Sequence, residues 1–120
     1  MAGGNNNKLW ENTSTDNDGI GIKINGDNNV VTLNTAKRNG QDGIQINDSD
    51  SNGNILDENH STESGINGIS VQGEDNTITR NVSKGNANFD MNDDAGDCDG
   101  NDWTDNTFAT SSPAPGGCIQ

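Results

Sequence analysis

The chain has no tyrosine, and Phe and Trp together make up 3% of its 120 residues. Only 26% of positions are apolar and the formal net charge is -13, values that alone describe a chain too polar to fold. Basic residues number six and are scattered from Lys8 to Lys84. Phosphate binding needs clustered Lys and Arg, so nucleic acid is excluded as a partner, and a hydrated cation suits the charge better. No apolar run approaches the roughly 18 residues of a membrane span, so no membrane partner is expected. No signal-peptide pattern is present, so the chain reads as soluble, with any export signal outside it.

What is abundant is specific. The chain holds 22 Asn, 15 Asp and 16 Gly, all turn formers with defined backbone roles. A chain of this length makes one domain, and so few apolar residues can build its core only if each points inward at a repeated position.

Such a repeat is present. The pattern Asn, any residue, a bulky apolar residue, any two, Asn occurs at 7–12, 29–34, 54–59, 76–81 and 101–106, with starts 22, 25, 22 and 25 residues apart. Ile22, Ile44, Ile69 and Met91 each lie 15 residues after an opening Asn, within alternating runs such as Ile20-Gly21-Ile22-Lys23-Ile24. A period of two means strands. Short strands joined by Asn/Gly turns at a period of 22–25 describe an all-β solenoid of about five coils, roughly 20 Å tall at ~4.8 Å per coil. Leu9, Val31, Leu56, Ile78 and Trp103 are expected to stack inside it, as are the small Ser14, Ala36, Ser61 and Ser83 until Phe108 breaks the series. Asn12, Asn34, Asn59, Asn81 and Asn106 are expected to form a ladder of stacked amides at one turn.

The N-x-Φ-x-x-N and G-I-x-Φ pairs resemble the repeats of the right-handed parallel β-helix superfamily, which holds pectate-lyase-like, epimerase-like and NosD-like proteins. The segment from Cys98 to Phe108, with Cys118 near the terminus, is similar to the last coil of secreted bacterial members. The resemblance implies a right-handed parallel β-helix over residues 1–110 and a tail over 111–120, in a secreted or cell-surface protein. It implies no single activity, because the superfamily hosts lyases, hydrolases, epimerases, adhesins and ice binders. A bridge from Cys98 to Cys118 would close a loop of about 20 residues, worth roughly 3 kcal/mol, and pin the Ser111 to Gly117 segment over the column end. Two free thiols are the alternative; an even count in a secreted-type fold favours the bridge.

The turns preceding the Asn motifs differ in length, so insertions fall on one edge of the column. Asp48-Ser49-Asp50-Ser51-Asn52-Gly53 has the D-x-D-x-N-G spacing of a Ca²⁺ loop, although Asn59 stands at the twelfth position where a bidentate Glu belongs. Asp93, Asp94, Asp97 and Asp99 form a second acidic cluster. Asp48, Asp50, Asn52, Asp93, Asp94 and Asp97 are therefore the candidate ligands for Ca²⁺, while a plain Asp/Asn/Gly turn explains the same letters.

Catalytic residues are scarce. The sole histidine, His60, follows a ladder Asn and is expected to face solvent. Arg80, Lys84 and Lys37-Arg38 have no carboxylate cage beside them in sequence, so no catalytic residue is assigned. The leading expectation is a non-catalytic scaffold or carbohydrate-associated fragment of a secreted or surface protein, possible partners being polysaccharide and Ca²⁺. The enzyme alternative, a trimmed polysaccharide lyase or epimerase acting on acidic polysaccharide, requires Lys84, Arg80 and the acidic loops to converge. A third reading, ice binding, requires a repeated Thr-x-Thr face, of which only Thr13-Ser14-Thr15 and Thr77-Ile78-Thr79 occur. The uncapped first coil is expected to pair with a second copy as a head-to-head dimer.

Overall fold

The computed structural model describes residues 2–94, 97–114 and 117–120, among which there is no helix. Alternating short runs between Asn and Gly corners form β1 (Ala2–Gly3), β2 (Lys8–Trp10), β3 (Thr13–Thr15), β4 (Ile22–Asn25) and β5 (Val30–Thr32). β6 (Thr35–Lys37), β7 (Ile44–Ile46), β8 (Ile55–Asp57), β9 (His60–Thr62) and β10 (Ile69–Val71) follow. The last are β11 (Thr77–Thr79), β12 (Val82–Lys84), β13 (Met91–Asp93), β14 (Asp102–Thr104) and β15 (Ser111–Ser112). They build a six-stranded sheet in the order β1-β4-β7-β10-β13-β15, a five-stranded sheet β14-β11-β8-β5-β2 and a four-stranded sheet β12-β9-β6-β3. Each full coil visits the five-, four- and six-stranded sheets in turn, and all the strand pairs are parallel. The shortest extent, 21 Å, matches about five coils at ~4.8 Å each.

Register follows the sequence repeat. Leu9, Val31, Leu56, Ile78 and Trp103 pair in one inward column. Ile22, Ile44, Ile69 and Met91 form a second, Ile24, Ile46 and Val71 a third. Most of these side chains are completely buried, each contributing about 1.5–3 kcal/mol. The fourth column, Ser14, Ala36, Ser61 and Ser83, is more than small. The hydroxyls of Ser14, Ser61 and Ser83 donate across the interior to the carbonyls of Gly21, Gly68 and Asp90, at 2.6–2.8 Å. That contact explains the Gly before Ile: a Cβ on Gly43 or Gly68 would sit within 2 Å of the Ser61 or Ser83 hydroxyl of the next coil. Beyond Ser83 the column ends in an isolated bridge from Val82 to Thr107, and Phe108 packs part-buried against the core.

The amide ladder runs through Asn12, Asn34, Asn59, Asn81 and Asn106: each Asn donates its N–H and its side-chain amide to the Oδ1 of the next, at 2.8–3.1 Å. The opening Asn residues, to which the sequence had given no role, form a second ladder of the same geometry through Asn7, Asn29, Asn54, Asn76 and Asn101. A shorter third one joins Asn17 to Asn39 at the remaining corner. At each corner the residue before the ladder takes a left-handed conformation, including Leu33 (φ 56), Glu58 (φ 53) and Arg80 (φ 53). That backbone costs about 1–2 kcal/mol per non-Gly residue, and the ladder bonds offset it.

The ladders are polar, with donors pointing toward the C-terminal end, where the last Asn of each corner finds an acceptor; at the third corner that is Asn86, whose Oδ1 accepts the Ser64 N–H. The main-chain oxygen of Gln120 takes both the N–H (3.2 Å) and the side-chain amide (3.1 Å) of Asn106. Asp90 Oδ1 takes the N–H (3.2 Å) and amide (2.9 Å) of Asn86. Burial alone would raise the Asp90 carboxyl, but the N–H groups of Ala109, Asn86 and Thr110 and the Asn86 amide outweigh it and hold it below the usual range. Asp93 Oδ2 accepts from the Asn101 amide (2.9 Å) and the Trp103 indole (2.8 Å). The Cys98–Cys118 disulfide is formed, and next to it the fully buried Ile119 bridges to Trp103. Within the segment expected as a tail, Ser111–Ser112 adds a strand to the six-stranded sheet; residues 115 and 116 lie outside the described residues.

Candidate functional site

The acidic residues singled out as Ca²⁺ ligands occupy different places. Asp48 Oδ1 caps its own turn by accepting the Asp50 N–H at 3.2 Å, and both residues are exposed. Asn52 belongs to a ladder of opposite polarity along this edge: Asn5 Oδ1 accepts the Asp27 N–H, Asp27 Oδ1 the Asn52 N–H, and Asn52 Oδ1 the Glu74 N–H, at 2.7–2.9 Å. Asp93 faces inward in register with Val71, on Trp103 and Asn101. Asp94 accepts from the Asn92 amide, and Asp97 is exposed. Among the described residues no three His, Cys, Asp or Glu side chains are grouped to hold a metal. The two acidic loops thus lie apart on the edge between the six- and five-stranded sheets.

The basic residues are spread over other surfaces. Arg80 lies at the corner between the five- and four-stranded sheets, where it pairs with Asp57 and Glu58. Arg38 pairs with Asp16 at 2.7 Å, a contact that holds the Asp16 carboxyl low, and Lys37 with Glu63 at 3.3 Å. Lys37 and Lys84 stand on the outer face of the four-stranded sheet, and His60 is exposed at the start of β9. The acidic loops lie instead between the six- and five-stranded sheets, so Arg80 and Lys84 are not brought to them. The two Thr-x-Thr runs likewise fall on different sheets, β3 and β11.

Two outer faces stand out. On the six-stranded sheet the residue between the two inward columns is Lys23, Gln45, Ser70 and Asn92 in successive coils. Although they face away from the core, Gln45, Ser70 and Asn92 are no more than 9% exposed. Polar neighbours cover them: Asp42 Oδ2 accepts the Gln45 amide at 2.8 Å, and the Asn92 amide reaches Ser70 Oγ at 3.3 Å. Among the described residues Gln45 Oε1 has no hydrogen-bond partner, nor has Asn25 Oδ1 at the end of β4. Burial pushes the Asp42 carboxyl up, and the Asp94 charge adds to the rise, against the Asn67 and Gln45 donors that oppose it. Sequence reading missed this row because its residues are ordinary polar letters. The signal was their place: the middle of Ile22-Lys23-Ile24, Ile44-Gln45-Ile46 and Ile69-Ser70-Val71.

The five-stranded sheet presents the opposite chemistry. Its outward columns are Lys8, Val30, Ile55, Thr77, Asp102 and Trp10, Thr32, Asp57, Thr79, Thr104. Trp10 is 56% exposed and Ile55 40%. Among the described residues there is no enclosed pocket, so a ligand of either face would lie on an open surface.

In comparison with known proteins, the family model described as "right handed beta helix region" matches residues 1–83. No curated protein and no solved structure matches the chain.

Proposed function

The chain belongs to the right-handed β-helix family, and on that premise we propose that it is a non-catalytic scaffold that associates with carbohydrate along the outer face of its six-stranded sheet. The observation that carries this reading is the Lys23, Gln45, Ser70, Asn92 row with the unpaired Gln45 Oε1. A buried acceptor without a donor is costly, by about 1–3 kcal/mol, and a sugar hydroxyl that displaced the side chains covering the row would supply one. Successive coils repeat polar groups at ~4.8 Å, a spacing that suits a polymer better than a compact metabolite. The Cys98–Cys118 bridge supports an oxidising, extracellular setting.

Affinity electrophoresis through gels containing neutral and acidic polysaccharides tests the reading. The native chain is expected to be retarded by at least one of them, and Gln45→Ala and Ser70→Ala to lose the retardation while keeping the native circular dichroism. Retardation by none, or equal retardation of native chain and both variants, would overturn it.

A further inference from the structure

We propose that the outer face of the five-stranded sheet is a second, separate binding surface, on which Trp10 stacks against the C–H face of an uncharged sugar chain. The inference deepens the carbohydrate reading without resting on the six-stranded face.

The first observation is a concentration of exceptions. At the column position of Trp10 the other coils carry Thr32, Asp57, Thr79 and Thr104. At the left-handed corner of Leu33, which is 44% exposed, they carry Glu11, Glu58, Arg80 and Asp105. Val30 and Ile55 stand where Lys8, Thr77 and Asp102 stand elsewhere. Singly exposed apolar side chains need no explanation, but Val30 and Ile55 are paired neighbours on this face, with Trp10 in its other column and Leu33 at its corner, all within the first three coils. The fold does not require them, since the polar residues of the other coils occupy the same positions in the same backbone.

Size then decides what the patch fits. An aromatic side chain offers about 150–250 Å² in all, so these four partly exposed side chains present on the order of 300 Å². A stable protein interface needs about 800 Å² from each partner. The patch is too small for that and matches the apolar face of one or two sugar rings.

Polar groups supply the other half of the match. Lys8 Nζ sits over one face of the Trp10 ring, 5.5 Å from its centre, and leaves the opposite face for a ligand. In the Trp10 column, Asp57 turns Oδ2 to Arg80, and its Oδ1 is buried with no partner among the described residues. Thr32 and Thr79 flank it. An apolar floor edged by hydroxyl, ammonium and carboxylate groups complements a pyranose, whose ring carbons are apolar and whose hydroxyls lie around the edge. The net charge of -13 disfavours a polyanion, and Arg80 is already engaged by Asp57 and Glu58.

The two tryptophans make the test direct, because Trp103 is 1% exposed and a surface ligand changes only Trp10 emission. The native chain is titrated with cellohexaose, xylohexaose and mannohexaose, with oligogalacturonate as the charged comparison. At least one neutral hexaose is expected to shift the emission to the blue and to protect it from acrylamide. Trp10→Ala is expected to weaken that binding, read by calorimetry, at least tenfold without lowering Tm, and Gln45→Ala to leave it unchanged. The proposal is overturned if no neutral hexaose at millimolar concentration alters Trp10 emission, if Trp10→Ala binds as tightly as the native chain, or if oligogalacturonate binds best. A dimer in light scattering that Trp10→Ala abolishes would assign the patch to a second copy and overturn it equally. Loss of binding in Gln45→Ala with Trp10 emission unresponsive would sink this surface and keep the six-stranded one.

Discussion

Asn59 is the rung of the amide ladder whose removal says most about how the column is held. It is fully buried, and its Oδ1 accepts both the N–H (2.9 Å) and the side-chain amide (3.0 Å) of Asn34. Its own amide donates to Asn81 Oδ1 (3.0 Å) and to the Val31 carbonyl (2.8 Å). Asn59→Ala therefore strips the Asn34 N–H of its acceptor inside the protein and takes a donor from two further oxygens. At about 1–3 kcal/mol for each buried group left unpaired, and with only the Asn34 N–H fully orphaned, a loss of about 2–4 kcal/mol is expected. That is a large part of the roughly 5–15 kcal/mol available to a domain. Asn12→Ala at the exposed end is the comparison: Asn34 Oδ1 keeps the Asn12 N–H at 2.8 Å, so about 1 kcal/mol or less should be lost. Urea unfolding followed by the emission of buried Trp103 reads both. Equal losses in the two variants, within about 0.5 kcal/mol, would refute the ladder as a stabilising element and leave the Asn residues as turn formers only.

Two further outcomes follow from the capped end. Replacing Cys98 and Cys118 together by Ser should cost about 3 kcal/mol, since the bridge closes a loop of 20 residues beside the buried Ile119; a double variant within 1 kcal/mol of the native chain would show the end is held by packing alone. Asp90 supplies the pH dependence. Its folded-state pKa lies below the unfolded value of about 3.9, so it stabilises the fold above that pH, and the contribution is lost as pH falls through the folded value. Between about pH 5 and pH 2 the native chain should lose more stability than Asp90→Asn, and parallel curves would remove Asp90 as a cap.

Most of the fold was legible because the solenoid writes its register into spacing. An inward position recurs every 22 or 25 residues, and the apolar residues at it face one another in the paired strands. What stayed hidden were interactions whose letters have a commoner use. The serines of the fourth column read as small, yet Ser61 and Ser83 work as clamps across the core. Leu33 and Arg80 carry no sign of a left-handed corner, because tertiary bonds impose that conformation against their preference. Asp93 was grouped with the acidic loop on charge alone. Its place two residues after Met91, where Ile24, Ile46 and Val71 stand in other coils, marks it as inward-facing. There the need of Asn101 and Trp103 for an acceptor outweighs the cost of burying a carboxylate. The outer faces were least legible, since a sequence repeat reports what points inward and is silent on what the outward residues meet.

Ladder polarity also bears on how two copies meet. Among the described residues β1, β2 and β3 end their sheets and Leu9 is only partly covered, and we propose that two copies of the 120-residue chain pair through this coil. In a head-to-head pair a twofold axis sets these edges antiparallel, which can satisfy their N–H and C=O groups and stops growth after one contact. The corners oppose it. Asn7, Asn12 and Asn17 donate into the next coil, so each turns its Oδ1 away from it, and two such coils face to face bring acceptor against acceptor. A head-to-head dimer must therefore be held by strand edges and Leu9, with water between the amides, and be weaker than a junction between two coils of one chain. Light scattering at tens of micromolar is expected to give twice the 12.6 kDa chain mass, falling to the monomer on dilution. Leu9→Lys should abolish the dimer and Asn12→Ala should leave it intact. A mass of 12.6 kDa at every concentration would refute the dimer, and its loss in Asn12→Ala would refute the account of what holds it.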